Sequence, residues 1–181
     1  MNGIDNIARH RVWFIALGVA LIALGIVAIA TAILTTLISV VVFGWLLLIG
    51  GVIQSVHAFW VRPWSGLLLE LLIGVLNIVV GLLIVANPGV GALGLTLLIA
   101  AFFIVGGLFR IIASADNPFP SRGWAIAGGL VNLLLGILIW AHWPATAFWV
   151  IGLFIGVDLI FTGWWFITLA FLTRKTITPA T

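Results

Sequence analysis

Apolar residues run in six long blocks, at about 12–31, 37–60, 66–86, 90–112, 123–142 and 146–172, with the polar residues gathered between them. Each block can cross ~30 Å of hydrocarbon as an α-helix rising ~1.5 Å per residue. Barrel strands of about ten residues would be shorter and would alternate apolar with polar positions, which these blocks do not. A helix also satisfies its own backbone groups in lipid, as the bilayer requires. The pattern predicts six transmembrane helices.

The blocks repeat. GVLNIVVG (74–81) matches GLVNLLLG (129–136) and, more loosely, GVALIALG (18–25). The helix after each motif carries two small residues seven apart: Gly44 and Gly51, Ala100 and Gly107, Gly156 and Gly163. The repeat length is about 56 residues, and three copies fill about 12–60, 66–112 and 123–172 of a single membrane domain over 1–181. Two spans per copy give all three the same orientation, so they are related by an axis along the membrane normal. The inverted repeats of many secondary transporters need an odd number of spans per copy.

The connections differ by side. Thr31 to Leu37, Asn87-Pro88-Gly89 and His142-Trp143-Pro144 are tight, with Pro88 and Pro144 suited to the first turn of the next helix. The connections near Arg62-Pro63 and at ASADNPFPSR (113–122) are longer and charged. All seven Lys and Arg (Arg9, Arg11, Arg62, Arg110, Arg122, Arg174 and Lys175) fall on one side. That is the positive-inside pattern, so both termini are expected in the cytoplasm. A secretory signal is the competing reading of 12–31. The run exceeds the ~7–15 residues of a signal's apolar core and carries the first repeat copy, so a retained helix is expected.

Composition agrees. Of 181 residues, 65% are hydrophobic and 6% charged, against roughly 25% charged in soluble domains. The net charge of +3 sets topology rather than binding nucleic acid. No cysteine is present, which excludes disulfides, thiolate metal sites and Cys nucleophiles. Of ten tryptophans, Trp13, Trp60, Trp64 and Trp124 fall at the inner boundary, and Trp140, Trp143 and Trp149 at the outer one. Trp45, Trp164 and Trp165 are expected deeper, in packing.

Little in the chain carries chemistry. Glu70, Gly74, Asn77 and Gly81 form one stripe on the third helix, and Gly129, Asn132 and Gly136 repeat its lower part on the fifth. Glycines that let helices approach, with Asn bonding across, account for both stripes as packing; a polar path is the sharper alternative. The first copy has Leu21 at the Asn position, and the second helices carry Gln54, Arg110 and Phe166 at one equivalent site, which speaks against a threefold pore. Asp158 lies near the middle of the sixth block, where a carboxylate is costly. It is expected to face the protein or another subunit, with Asn77 and Asn132 as candidate neighbours. Glu70 and Arg110 form a candidate structural ion pair near the inner boundary, or a cluster with His57 or Gln54. No nucleotide loop, zinc-protease helix, serine elbow or metal-spaced cluster occurs, so neither an enzyme nor a cofactor is expected.

The three glycine-marked hairpins, and above all LIGVLNIVVGLLIVANPGVGALGLTLLIAAFFIVGGLFRII, resemble the HdeD family of bacterial inner-membrane proteins, over roughly residues 12–172. The resemblance implies an all-α fold of six transmembrane helices in the inner membrane and a context of acid resistance, with no residue roles. The first copy lacks the Asn and the Pro. Two functions are carried forward: a non-enzymatic protein supporting acid or envelope-stress tolerance, and a small-solute or proton transporter using Asp158, Asn77 and Asn132. The implied partners are the lipid bilayer, and further copies of the chain or another membrane protein.

Overall fold

The computed structural model describes residues 2–61, 64–116 and 122–172. All of its long elements are helices: α1 (Asn2–Ala30), α2 (Ala32–Val61), α3 (Trp64–Ala86), α4 (Pro88–Asp116), α5 (Arg122–Ala141) and α6 (Val150–Leu172), with a short 3₁₀ turn at Ala145–Phe148. Six of them are long and apolar enough to cross a membrane. The connection at Arg62-Pro63, the middle of the 113–122 connection, Arg174 and Lys175 lie outside the described residues, as do the side chains of Arg9, Arg11 and Trp64.

The distribution of side chains is that of a protein solvated by lipid. The buried residues are mostly small: Ala58, Ala92, Ala147, Ala170, Thr36 and Thr96. Leu, Ile, Val, Phe and Trp cover the outside of every long helix. Lipid tails solvate large apolar side chains as well as a core does, so small residues are the ones that gain by lying between helices. Trp45, Trp164 and Trp165 follow this rule rather than the packing role expected of them: they are 50%, 67% and 62% exposed.

Burial keeps the repeat. Ala28, Ile84 and Ile139 are equivalent and buried, as are Thr36, Ala92 and Ala147, and Ala58, Ser114 and Ala170. The turns keep it too. Thr31, Asn87 and His142 each donate a backbone N–H to the carbonyl four residues back and accept one from four residues ahead. One residue thus closes one helical ladder and opens the next. Pro88 stands at the start of α4 as expected. The third turn departs from expectation: after a cis Trp143–Pro144 bond, Pro144 caps the 3₁₀ turn, and α6 begins only at Val150. The Thr146 hydroxyl donates to the Ile139 carbonyl at 2.9 Å, satisfying an acceptor at the end of α5.

The chain divides into two compact units. One comprises residues 1–35 and 152–181, so α1 and most of α6; the other comprises residues 36–151. In the second, Val40, Ile84 and Ala92 form an apolar cluster with Leu47, Leu95 and Ile151 against it.

Candidate functional site

The glycine motifs mark helix contacts, and the partners come from different copies. In the larger unit α2 meets α3: a Cβ on Gly51 would lie 2.6 Å from the Gly74 carbonyl oxygen, and one on Gly81 2.7 Å from that of Gly44. There α4 meets α5 in the same register, Gly107 lying against Gly129 and Gly136 against Ala100, with distances of 2.7 and 2.8 Å from the Cβ each glycine lacks to the facing carbonyl oxygen. In the smaller unit α6 meets α1, Gly163 against Gly18 and Gly156 against Gly25, at 2.5 and 2.8 Å on the same measure. Such approaches leave no room for a side chain.

A further element of the motif went unread in the sequence. The residue four beyond a small residue lies over the glycine opposite: Ile78 on Gly51, Leu48 on Gly81, Leu133 on Gly107, Ile104 on Gly136, Ile160 on Gly25 and Ile22 on Gly163. Residues four apart share a helix face, so Gly-x-x-x-Ile is the signal that could have found it. Ser55 is the polar exception: its side chain occupies the space beside Gly74, and its hydroxyl donates to the Gly51 carbonyl at 2.8 Å.

This register places the polar residues. The Asn77 amide donates to Gln54 Oε1 at 3.2 Å, across α2 and α3. His57 Nδ1 and Glu70 Oε1 form a hydrogen bond of 3.3 Å in the same contact. Glu70 stands one turn before Gly74 and faces α2. Arg110 stands three residues beyond Gly107 and faces α5, where its guanidinium lies against Gly128. Glu70 and Arg110, expected as a pair, are thus each seen against a different helix, α2 and α5. Of the expected cluster partners, His57 meets Glu70.

The positions equivalent to Gln54 and Asn77 are Arg110 and Asn132, then Phe166 and Leu21. Asn132 is half-buried on α5. Phe166 stacks on Phe14, with centroids 6.0 Å apart and planes at 20°. One register therefore holds a polar contact in one place and an aromatic one in another. Asp158 belongs to the smaller unit, whereas Asn77 and Asn132 belong to the larger. It is exposed on α6, which removes the expectation that it points into its own chain. The inward face of α6 is occupied by Gly156 and Gly163, and two residues on from Gly156 is a rotation of about 200°.

Among the described residues, grooves open on the outside of the larger unit. One, of about 320 Å³, is lined by Leu97, Ala100, Ala101, Ile104, Val105 and Trp140. Another, of about 380 Å³, is lined by Val52, Ile53, Val56, His57 and Trp60. Both present largely apolar walls. Among the described residues no group of three His, Asp or Glu is placed to hold a metal ion.

A family model described as "Short repeat of unknown function (DUF308)" matches residues 16–85 and again residues 72–141. The two matches are displaced by 56 residues, which is the period of the glycine motifs. No curated protein and no solved structure matches the chain.

Proposed function

The chain belongs to the DUF308 short-repeat family, and on that premise we propose that it is a non-enzymatic, multi-pass protein of the bacterial inner membrane that supports tolerance of acid or envelope stress. Both termini lie in the cytoplasm, and the fold is three parallel copies of a two-helix repeat. The orientation is supported by the one-sided distribution of seven Lys and Arg. The physiological context is supported by the resemblance to the HdeD family. The partners are the bilayer and other membrane-embedded protein.

The observation that favours a protein without transport over a transporter is how the polar residues are used. Asn77 bonds Gln54 and Glu70 bonds His57, each across a glycine contact between neighbouring helices. Groups engaged in this way hold helices together, and model helices gain ~1–2 kcal/mol from each such bond. Transport of protons or a small solute through Asp158, Asn77 and Asn132 is the rival, and one experiment separates them. The purified chain is placed in liposomes under a pH gradient, and a strain lacking the gene is challenged with acid. No flux together with acid sensitivity is the expected result. Proton or solute flux abolished by Asp158→Asn overturns the proposal.

A further inference from the structure

The outward face of α6 differs from its counterparts. Leu46, Phe102 and Asp158 are equivalent positions on α2, α4 and α6, each two residues past the first small residue of the contact motif. All three are exposed. Leu46 and Phe102 are well solvated by lipid. Asp158, in the same setting, is not, because a carboxyl group in hydrocarbon has no hydrogen-bond partner. The contrast continues along the helix. Ile49 and Val105 correspond to Phe161, Val52 and Leu108 to Trp164, and Ile53 and Phe109 to Trp165. These are all exposed too. At these four positions two copies therefore present aliphatic and Phe side chains, while the third presents a carboxyl group, a Phe and two indoles.

We propose that the face of α6 bearing Asp158, Phe161 and Trp165 is the contact surface for a second copy of this chain. What covers Asp158 must bring a polar group to the same depth. Within its own unit nothing opposite in charge does so, since α1 from Trp13 to Ala30 and the start of α2 from Ala32 to Thr35 carry no titratable residue. The basic residues of the chain lie at or beyond the ends of the apolar blocks. Two copies in one bilayer share a depth by necessity. A two-fold axis along the membrane normal sets α6 beside its own copy in parallel, so that each residue near the axis meets itself. A carboxyl group suits that position because in its protonated form it both donates and accepts a hydrogen bond, so two of them pair reciprocally. Phe161 and Trp165 lie one and two turns along the same face, and aromatic residues are enriched at protein contacts.

The absence of native cysteine makes the test direct. The full chain carrying Phe161→Cys is reconstituted in vesicles of phosphatidylethanolamine and phosphatidylglycerol and oxidised. It is expected to form a disulfide-linked dimer, whereas Ile49→Cys and Val105→Cys at the equivalent positions remain monomers. Adding Asp158→Leu to Phe161→Cys removes the cross-link; adding Asp158→Asn, whose amide also donates and accepts, retains it. Association measured by energy transfer on dilution in the same vesicles falls about tenfold for Asp158→Leu. Helix content by circular dichroism is expected to be unchanged in every variant, which separates lost association from lost folding. Cross-linking of Phe161→Cys no better than that of Ile49→Cys overturns the proposal. So does association of folded Asp158→Leu as tight as that of the parent chain, or capture of Phe161→Cys in native membranes by a different protein alone.

Discussion

Gly107 and Gly129 face each other backbone to backbone: a Cβ on Gly107 would lie 2.7 Å from the Gly129 carbonyl oxygen, and one on Gly129 3.0 Å from that of Gly107. The obstacle in each case is main chain, which cannot rotate aside. Gly107→Ala must therefore separate α4 from α5. Overpacking of this kind costs ~1–3 kcal/mol, of which the better helix propensity of Ala returns at most about 1. The adjacent Gly106 has nothing within 4 Å of its Cβ position, so Gly106→Ala is expected to be neutral or slightly stabilising. Unfolding of both variants in mixed micelles checks the contrast, and equal stabilities would contradict the contact.

Asn77 and Gln54 form a bond that the register of α2 and α3 dictates. Each single change to Leu removes one partner and leaves the other polar group between helices. The double change removes both, so its cost should fall short of the sum of the singles by ~0.5–1.5 kcal/mol. Strict additivity in that cycle would show that the two amides do not depend on each other.

The same logic separates two pairings of Glu70. His57 Nδ1 lies 3.3 Å from its carboxylate, and the His57 side chain is 56% exposed. An exposed pair is worth ~0.2–1 kcal/mol, so a modest coupling is expected between Glu70→Gln and His57→Ala. Glu70→Gln and Arg110→Gln should instead add, since these residues face α2 and α5. Coupling of Glu70 to Arg110 in place of His57 would contradict the assignment.

The helices, the period and the glycine positions could be read before any coordinates because each is a local pattern: unbroken apolar runs, and small residues seven apart. The partner of each face was harder to read. Gly74 and Gly81 announce a close contact, and nothing local says whether it is with α2 or α4. That choice depends on how hairpins pack on one another, and it decided that Glu70 meets His57. Of the two expectations for Asp158, its own protein or another subunit, the inward one fails for a related reason. Its cost in lipid argued for the interior, but the glycines of α6 had already assigned the interior face, and counting residues from Gly156 would have turned Asp158 outward. The tryptophans at 164 and 165 followed the same rotation.

Topology gives the last prediction. The Asn87 turn between α3 and α4 carries no charge, and its backbone N–H closes α3 while its carbonyl opens α4. Polar backbone is so fully used there that the connection can sit shallowly at a bilayer surface. At the far end of α4, Arg110 and then Arg122 flank the connection to α5. Basic residues resist translocation, so that end is expected inside and the Asn87 turn outside. Alkaline phosphatase fused after Asn87 should be active, and the same reporter fused after Ala115 inactive, with the reverse for green fluorescent protein. Activity on one side for both fusions would show that α4 does not cross the membrane, and the parallel repeats would fall with it.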